Sequence, residues 1–269
     1  MMKTNLTLGL GALLLAAPAL HAQPLPLTTL TGSELGLQLS SYRYEEDNNG
    51  AYFMSLEGRK LGVTGAFTQA LADGWHWGAD GRYASGNTDY DSAGTGRKSA
   101  SPDYYLEGRV TAGRDLAVGG QVIAPYSGLG YRYLANDLRG YTSTGAVGYR
   151  RISSYIYLPV GLAHRMRAGA QGRLVTTFEY DYLIEGTQRS FTSDAGYRND
   201  LLNQQRSGHG LRLAVAYEET HWSISAFVHQ WDISRSDVGT YTDGTLVYTG
   251  IEPHNITREA GVQLKYHFR

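Results

Sequence analysis

The residues best suited to chemistry are charged side chains that recur at alternate positions within otherwise apolar segments. Six acids and seven bases fall on the polar side of these segments, so their charges nearly balance. Paired across a narrow space, they would form a lattice of ion pairs, because an unpaired buried charge is costly. Loosely packed, the same groups would line a narrow polar pore and set its ion preference. The candidates are Asp80, Arg82, Glu107, Arg109, Arg132, Arg151, Arg165, Glu179, Asp181, Arg212, Glu218, Glu259 and Lys265.

The elements that must position these charges are strands, because the apolar residues recur with a period of two. In the C-terminal segment, Val262 and Leu264 share one face, while Glu259 and Lys265 share the other. Such alternation fits a soluble sheet, and it equally fits a membrane barrel with apolar side chains toward lipid and polar ones toward the lumen. Ten such strands are predicted, at about 34–44, 54–70, 75–85, 102–113, 121–134, 148–165, 172–185, 208–218, 221–233 and 256–268.

The connections between these strands alternate in length. Short turns at 72–74, 114–120, 166–170 and 219–220 separate longer polar links at 45–51, 86–101, 135–147, 186–207 and 234–255. Transmembrane barrels have this order, with short periplasmic turns and long extracellular loops. The sequence therefore predicts an all-β fold, namely a closed antiparallel transmembrane barrel of about ten strands.

The N-terminus indicates export. Lys3 precedes an apolar run from Leu6 to Leu20, and a segment rich in small residues spans 16–22, which is the pattern of a secretory signal peptide. We predict a signal peptide over 1–22 and a barrel domain over 23–269, with cleavage after Ala22 or alternatively after Ala19. The chain has no cysteine, which excludes a lipoprotein anchor and a disulfide scaffold. Its net charge of −1 gives no argument for nucleic acid as a partner.

Residues 126–133 (YSGLGYRY), the closing segment 261–268 and the Gly- and Tyr-rich strands resemble a bacterial outer-membrane β-barrel protein of the small porin-like or opacity-protein type. The resemblance implies a place in the outer membrane of a Gram-negative cell, surrounded by lipid and lipopolysaccharide. It also implies that the barrel-assembly machinery recognises the C-terminal strand. In that class the last residue is usually aromatic, whereas here Arg269 follows Phe268. We expect no cofactor and no metal.

Three functions stay open at this point: a structural or narrow-pore barrel, a surface adhesion or evasion barrel acting through its loops, and a surface hydrolase. Some ten-stranded outer-membrane barrels are surface proteases, the omptins, which carry an Asp pair and an Asp-His pair at the extracellular rim. Asp89 and Asp91 supply a pair, and His209 and His254 could reach the same rim. Segment 186–190, however, lacks the histidine that the family spacing requires. We therefore predict no catalytic site and favour the porin-like role, with an extracellular partner bound through the loops as the alternative.

Overall fold

The computed structural model describes residues 24–269, so the predicted signal peptide lies outside the described residues. Two 3₁₀ turns occupy Ala72–Gly74 and Thr192–Ala195. The strands are β1 Gly32–Asn48, β2 Ala51–Ala70, β3 Trp75–Ser92, β4 Gly96–Arg114, β5 Leu116–Val118, β6 Gln121–Tyr141, β7 Val147–Ala168, β8 Gly172–Ser190, β9 Leu201–Gln205, β10 Gly208–Glu218, β11 Trp222–Ile233, β12 Gly239–Thr242, β13 Val247–Gly250 and β14 His254–Phe268.

Antiparallel ladders join ten of these strands into a closed ring. The order around the ring is β1-β2-β3-β4-β6-β7-β8-β10-β11-β14, and β14 pairs with β1 along its whole length. β8 pairs directly with β10, so β9 is an addition that pairs with the upper part of β8. β5 pairs with the start of β6 and so lengthens the hairpin at one of the short turns. β12 pairs with β13 in a separate hairpin. The structure confirms the predicted ten-stranded closed barrel.

The outer surface of the barrel carries an apolar band. Leu37 and Leu39 of β1 project outward and are more than half exposed, and the other barrel strands repeat this pattern. Aromatic pairs flank the band, with Trp77 against Phe67 at the short-turn end and Tyr83 against Tyr104 toward the other end. Such girdles mark the two membrane interfaces of a barrel. Within the described residues, no helix is long and apolar enough to cross a membrane.

Several strands are far longer than a membrane requires. β6 has 21 residues and β7 has 22, whereas a tilted transmembrane strand needs about 9–11. Three of the five long links therefore continue as paired strands that end in tight hairpins, at 49–50, 93–95 and 142–146. There water replaces lipid on the outer side, so polar residues face outward and many apolar residues face inward, while the backbone ladder continues. Only the links after β8 and β11 form extended extracellular structure, with β9, β12 and β13 inside them.

A β-bulge changes which residues of β8 face the lumen. The ladder pairs Ile156 with Glu185 but the next residue, Tyr157, with Leu183, so β8 carries one extra residue. From this point the inner and outer faces of β8 exchange, as expected at a bulge. Strict alternation places Glu185 inside together with Leu183, whereas in the structure Leu183 is buried, Glu185 is exposed and Gly186 takes the inner position.

Tyrosine rings lie flat over inward-facing glycines. A Cβ added to Gly130 would stand 2.2 Å from Cζ of Tyr157, and one added to Gly161 would stand 2.2 Å from Cζ of Tyr126. Gly130 lies on β6 and Gly161 on β7, and the lack of a side chain at each lets the tyrosine ring reach the strand. This close approach fixes the rings of Tyr157 and Tyr126 and lets them cross the lumen.

Changing Gly130 to Ala should destabilise the barrel, because the Tyr157 ring must move out of a packed layer. Overpacking of this kind costs about 1–3 kcal/mol. Gly108→Ala is the matched control, since its new Cβ would have no neighbour closer than 4.0 Å. Urea unfolding in lipid vesicles measures both variants, and equal stabilities would contradict the proposed tyrosine–glycine packing.

Candidate functional site

The middle of the lumen holds a dense cluster of ion pairs. Arg212 contacts Asp181 at 2.6 Å and Glu179 at 3.0 Å, and it also pairs with Glu107. Arg82 contacts Glu107 at 2.6 Å from the opposite side. All of these side chains are buried. Each charge is therefore neutralised by neighbours from other strands, which is the condition under which charges persist away from water.

Further contacts extend this network along the lumen. Arg109 bridges Asp80 at 2.9 Å and Glu179 at 2.5 Å. Glu259 accepts from Arg82 at 3.2 Å, and Arg132 lies 3.7 Å from Glu107. Nine of the thirteen predicted residues thus belong to one connected network: Asp80, Arg82, Glu107, Arg109, Arg132, Glu179, Asp181, Arg212 and Glu259.

Three predicted residues lie instead at the short-turn end and have other partners. Arg165 contacts Asp115 at 2.8 Å. Glu218 contacts Arg173 at 2.8 Å. Lys265 contacts Glu34 at 2.5 Å.

The N-terminal segment 24–31 lies across the same end of the barrel. Arg173 donates to the carbonyl oxygens of Pro26 at 2.6 Å and Thr28 at 3.0 Å. The Thr29 hydroxyl donates to Asp115 at 2.9 Å, so the nearby His76 does not take its proton. These contacts hold the segment in place and give no activated nucleophile.

Sequence reasoning missed a second buried pair. Lys60 of β2 pairs with Asp103 of β4, and Asn136 donates to the same carboxylate. The ammonium group of Lys60 also lies 4.1 Å from the centre of the Tyr42 ring. Both charges fall within predicted strands and on the inner face, so strand parity alone could have found them.

Above the ion pairs, aromatic and aliphatic side chains close the lumen. Tyr105 and Tyr157 are fully buried, and the guanidinium groups of Arg82 and Arg132 each lie 4.8 Å from the Tyr105 ring. The ring of Trp231 meets Tyr157 edge-on, with 5.0 Å between centroids. Two hydrophobic clusters continue this layer, one around Tyr42, Tyr44, Met54, Leu56 and Leu134 and one around Tyr155, Leu183 and Ile233.

This closed layer separates two kinds of cavity. Toward the short-turn end lies a polar cavity of about 320 Å³ that includes Arg165 and Lys265 in its walls. A smaller neighbour of about 210 Å³ reaches up to Arg82 and Glu107. At the opposite, extracellular end lies a cavity of about 310 Å³, which we name the extracellular cup. The cup shares no wall residue with the two lower cavities.

The walls of the extracellular cup come from the protruding hairpins. Most wall residues belong to the hairpins β1–β2, β3–β4 and β6–β7. The rim is completed by segment 251–253 and Leu201. The main-chain N–H of Glu252 donates to Ser236 Oγ at 2.8 Å, and that of Ser236 donates to the Glu252 carbonyl at 3.0 Å, which fixes this segment. The apolar wall residues are Phe53, Met54, Leu138, Ala146, Val147, Leu201, Ile251 and Pro253.

Charged residues sit at one side of the cup. Arg151, the last of the predicted lattice residues, pairs with both Glu46 and Glu252. The hydroxyl of Tyr44 lies 2.8 Å from an oxygen of each carboxyl group. Burial, together with the nearby Glu46, raises the pKa of Glu252 to about 8 although Arg151 opposes the shift. Sequence reasoning missed both acids, because Glu46 lies past the predicted strand end and Glu252 lies in a loop.

A histidine joins three strands on the outer side of the extracellular rim. Nδ1 of His254 bonds Asp47 of β1, and Nε2 bonds Asp232 of β11 at 2.9 Å. Partial burial lowers the pKa of His254, but the two carboxylates together raise it above its ordinary value. With both ring nitrogens occupied, His254 acts as a clamp and is not free to serve as a general base.

The residues considered for a hydrolase do not meet. Asp89 and Asp91 lie within β3, not in a loop, and Asp91 pairs with Arg97 at 2.6 Å. His254 lies on β14, which β1 and β2 separate from β3, a spacing of about 14 Å at 4.8 Å per strand. His209 stacks on Tyr180 on the outer surface. Within residues 24–269, no group of three or more His, Asp or Glu side chains is arranged to hold a metal ion.

Solved structures with the same architecture include the outer-membrane protease OmpT from Escherichia coli, with a TM-score of 0.61, 14% identity, and coverage of 90% of this chain and 100% of that chain. The chain folds as an outer-membrane β-barrel. The translocator domain of the autotransporter NalP from Neisseria meningitidis has a TM-score of 0.43 and 11% identity, with 89% and 90% of the two chains covered. The toluene transporter TodX from Pseudomonas putida has a TM-score of 0.35 and 10% identity, with 89% and 90% covered. No family model and no curated protein matches the chain.

Replacing Arg212 by Met should strongly destabilise this outer-membrane barrel, because three buried carboxylates lose a shared partner. Removing one partner of a buried pair costs about 3–5 kcal/mol. Arg43→Met is the control, since Arg43 forms only exposed pairs with Glu45 and Glu57 and should cost less than about 1 kcal/mol. Urea unfolding in vesicles gives both values, and a similar loss in both variants would refute the central role of Arg212.

The His254 clamp should weaken as the pH rises. Because the pKa of His254 is raised on folding, its contribution is fully present below pH about 6.5 and is lost as the pH passes its higher folded-state pKa. Thermal unfolding at pH 6 and pH 9 should show a larger loss for the natural protein than for His254→Asn. The His209→Asn control should keep the natural pH dependence; if His254→Asn keeps it as well, the clamp does not contribute.

Proposed function

We propose that this protein is a non-conducting outer-membrane barrel that binds a small ligand from the surroundings in its extracellular cup. The observation that carries the proposal is an apolar-walled cavity of about 310 Å³ above a lumen filled by buried side chains. This proposal takes the structural interpretation of the charge lattice and moves the function from the lumen to the extracellular mouth.

Packing and pairing together support a closed lumen. An ion that crosses the barrel must pass Tyr105, Tyr157 and Arg132, which fill the central layer and are almost completely buried. The charges on this path already have partners at hydrogen-bond distance, so displacing them would leave buried charge unpaired. Barrels with few strands are generally filled by side chains in this way.

The shape and chemistry of the cup support ligand binding. Binding sites for small molecules are concave, mostly apolar, and carry a few convergent polar groups that orient the ligand. The cup has apolar wall residues from three hairpins, and its charged wall residues are Lys98 and the cluster of Arg151 with Glu46 and Glu252. Because the hairpins are continuous with the barrel ladder, the cavity is formed before a ligand arrives.

Adhesion through the extracellular loops is the second candidate, and a specific surface favours it. Tyr197 packs edge-on against the stacked pair Tyr241 and Tyr248, with ring centroids 4.7 Å and 5.4 Å away, and so joins the β12–β13 hairpin to the segment after β8. At the tip of this hairpin, Val247 is 74% exposed and Leu246 is also exposed. A rigid apolar tip of this kind would suit contact with an extracellular protein.

The partners expected from the sequence belong to this proposal. Arg43 and Arg258 project outward above the apolar band, at the height where lipopolysaccharide headgroups would lie. The C-terminal strand pairs with both β1 and β11, so its recognition by the barrel-assembly machinery would precede closure. We propose no hydrolase, because the Asp pair on β3 has no histidine near it.

The natural protein should give no reproducible open steps in a planar bilayer. Changing Tyr105 and Tyr157 together to Ala removes two rings from the closed layer and should produce small steps under the same conditions. Folded barrels are verified in each case by resistance to unfolding in detergent without heating. Open steps of the natural protein, altered by neutralising Arg132 or Glu179, would instead establish a narrow pore.

Access to the cup is tested separately through engineered thiols, since the natural chain has no cysteine. Val147→Cys, in the cup wall, should react with a membrane-impermeant thiol reagent added to whole cells. Thr177→Cys, in the lower cavities, should not react until the cells are opened. Labelling of Thr177→Cys from outside would mean that the layer between the cavities is permeable.

A further inference from the structure

The polar side of the extracellular cup carries one negative charge too many for its cations. Glu46 and Glu252 share a single guanidinium group, that of Arg151. The other basic residue in the cup wall, Lys98, donates to the hydroxyl of Ser101 at 2.8 Å and pairs with neither carboxyl group. If both acids ionise, the buried cluster holds a net charge of −1.

Each carboxyl group also keeps an unused oxygen. Arg151 and Tyr44 contact Oε1 of Glu46 and Oε1 of Glu252. Among residues 24–269, no N–H or O–H group donates to Oε2 of either residue, although the two side chains belong to residues only 3% and 4% exposed. Both residues line the cup. Neither Oε2 atom is among the buried atoms that lack a partner, so both open into the cup, where a ligand with hydrogen-bond donors can reach them.

The surroundings leave a proton as the only other source of positive charge. The groups that face Glu252 are Arg151, Tyr149 and Tyr155 from β7, Glu46 and Tyr44 from β1, and Ser236 from the preceding segment. The raised pKa of Glu252, about 8, means that the free cluster holds this proton at neutral pH. Burial and the neighbouring carboxyl group of Glu46 both disfavour the ionised form of Glu252.

We propose that the ligand of the extracellular cup is a small amphiphile with one ammonium group, which pairs with Glu46 and Glu252 beside their single guanidinium group. The inference rests on the proposed function, because it names the ligand class of the same cup. The ammonium group donates to the two Oε2 atoms, and the apolar body packs against Phe53, Leu138 and Ile251. The amine enters with its charge, and the only bond that breaks is the O–H bond of the Glu252 carboxyl group, whose proton passes to solvent.

This exchange differs from binding by apolar contact alone in two respects. Binding should release close to one proton per site at pH 7, because the free cluster is protonated and the complex is not. Affinity should also rise as the pH rises from 6 to 8, by up to tenfold per unit while the cluster must lose its proton first. Neither effect is expected for an uncharged ligand of the same shape.

Isothermal titration calorimetry on the full barrel in lipid nanodiscs tests the proposal with three probes of one shape: 2-phenylethylamine, 2-phenylethanol and 3-phenylpropanoate. Two buffers with different ionisation enthalpies report the protons released. We expect the amine to bind at least tenfold more tightly than the alcohol, with proton release, and the anion to bind least. Empty nanodiscs supply the correction for partition into lipid.

Two glutamate substitutions separate the cup from the surface. Glu252→Gln keeps the size of the side chain and should abolish proton release and lower amine affinity at least tenfold, with little effect on the alcohol. Glu57→Gln, in an exposed pair with Arg43 on the outer surface, should change neither quantity.

The outcomes distinguish the two proposals. Equal binding of amine and alcohol, or preference for the anion, would overturn the ammonium assignment while leaving an occupied cup. Failure of all three probes at millimolar concentration would also overturn it. The proposed function falls independently if Val147→Cys cannot be labelled from outside or if the natural barrel conducts.

Discussion

Every backbone N–H and C=O group at membrane depth must find a partner within the protein, because hydrocarbon offers none. For strands this requirement allows only a closed sheet, and here closure depends on two ladders. β1 pairs with β14, and β8 reaches past β9 to pair with β10. Once the ring is closed, lipid dictates only the outward side chains, so the inward ones are free to be charged. The ion-pair network of Arg212 and Arg82 exists because the backbone has already been satisfied.

The interior then faces its own constraint, since a narrow barrel offers little room for water around its charges. Pairing solves this in the lower half, where Arg109, Arg82 and Arg212 each contact carboxylates from other strands. In the upper half, aromatic packing contributes as well: Tyr157 rests on the bare backbone of Gly130 and supports Trp231, beside the buried Lys60–Asp103 pair. The boundary between these two solutions is the layer that separates the extracellular cup from the lower cavities.

Strict alternation along a strand predicts well which side chains face lipid and which face the lumen. All thirteen predicted lattice residues face the inside, because each lies in a strand whose other face is apolar. Glu185 departs from its parity because a bulge, which no local pattern marks, shifts the register. The sequence pattern does not predict the position of Glu252, because that position depends on hydrogen bonds with Ser236 within an irregular segment. The predicted strands end before the observed ones wherever polar residues continue a ladder beyond the membrane.

The protruding strands show what changes when lipid is no longer present. Along β1, Leu37 and Leu39 face outward while Gln38 and Ser40 face inward; a few residues later Arg43 and Glu45 face outward while Tyr42 and Tyr44 are buried inside. The same alternation has thus reversed its chemistry, because water has replaced lipid around the outer face. Above this level the barrel resembles a soluble protein, with a charged surface and hydrophobic clusters inside that surround the buried pairs of Lys60 and Arg151. An apolar interior that opens at its top is a cavity suited to a ligand, whereas the ion-filled interior below it is not. The reversal therefore explains why binding is expected at the mouth, and why a shared barrel fold with OmpT at 14% identity carries no information about what that mouth binds.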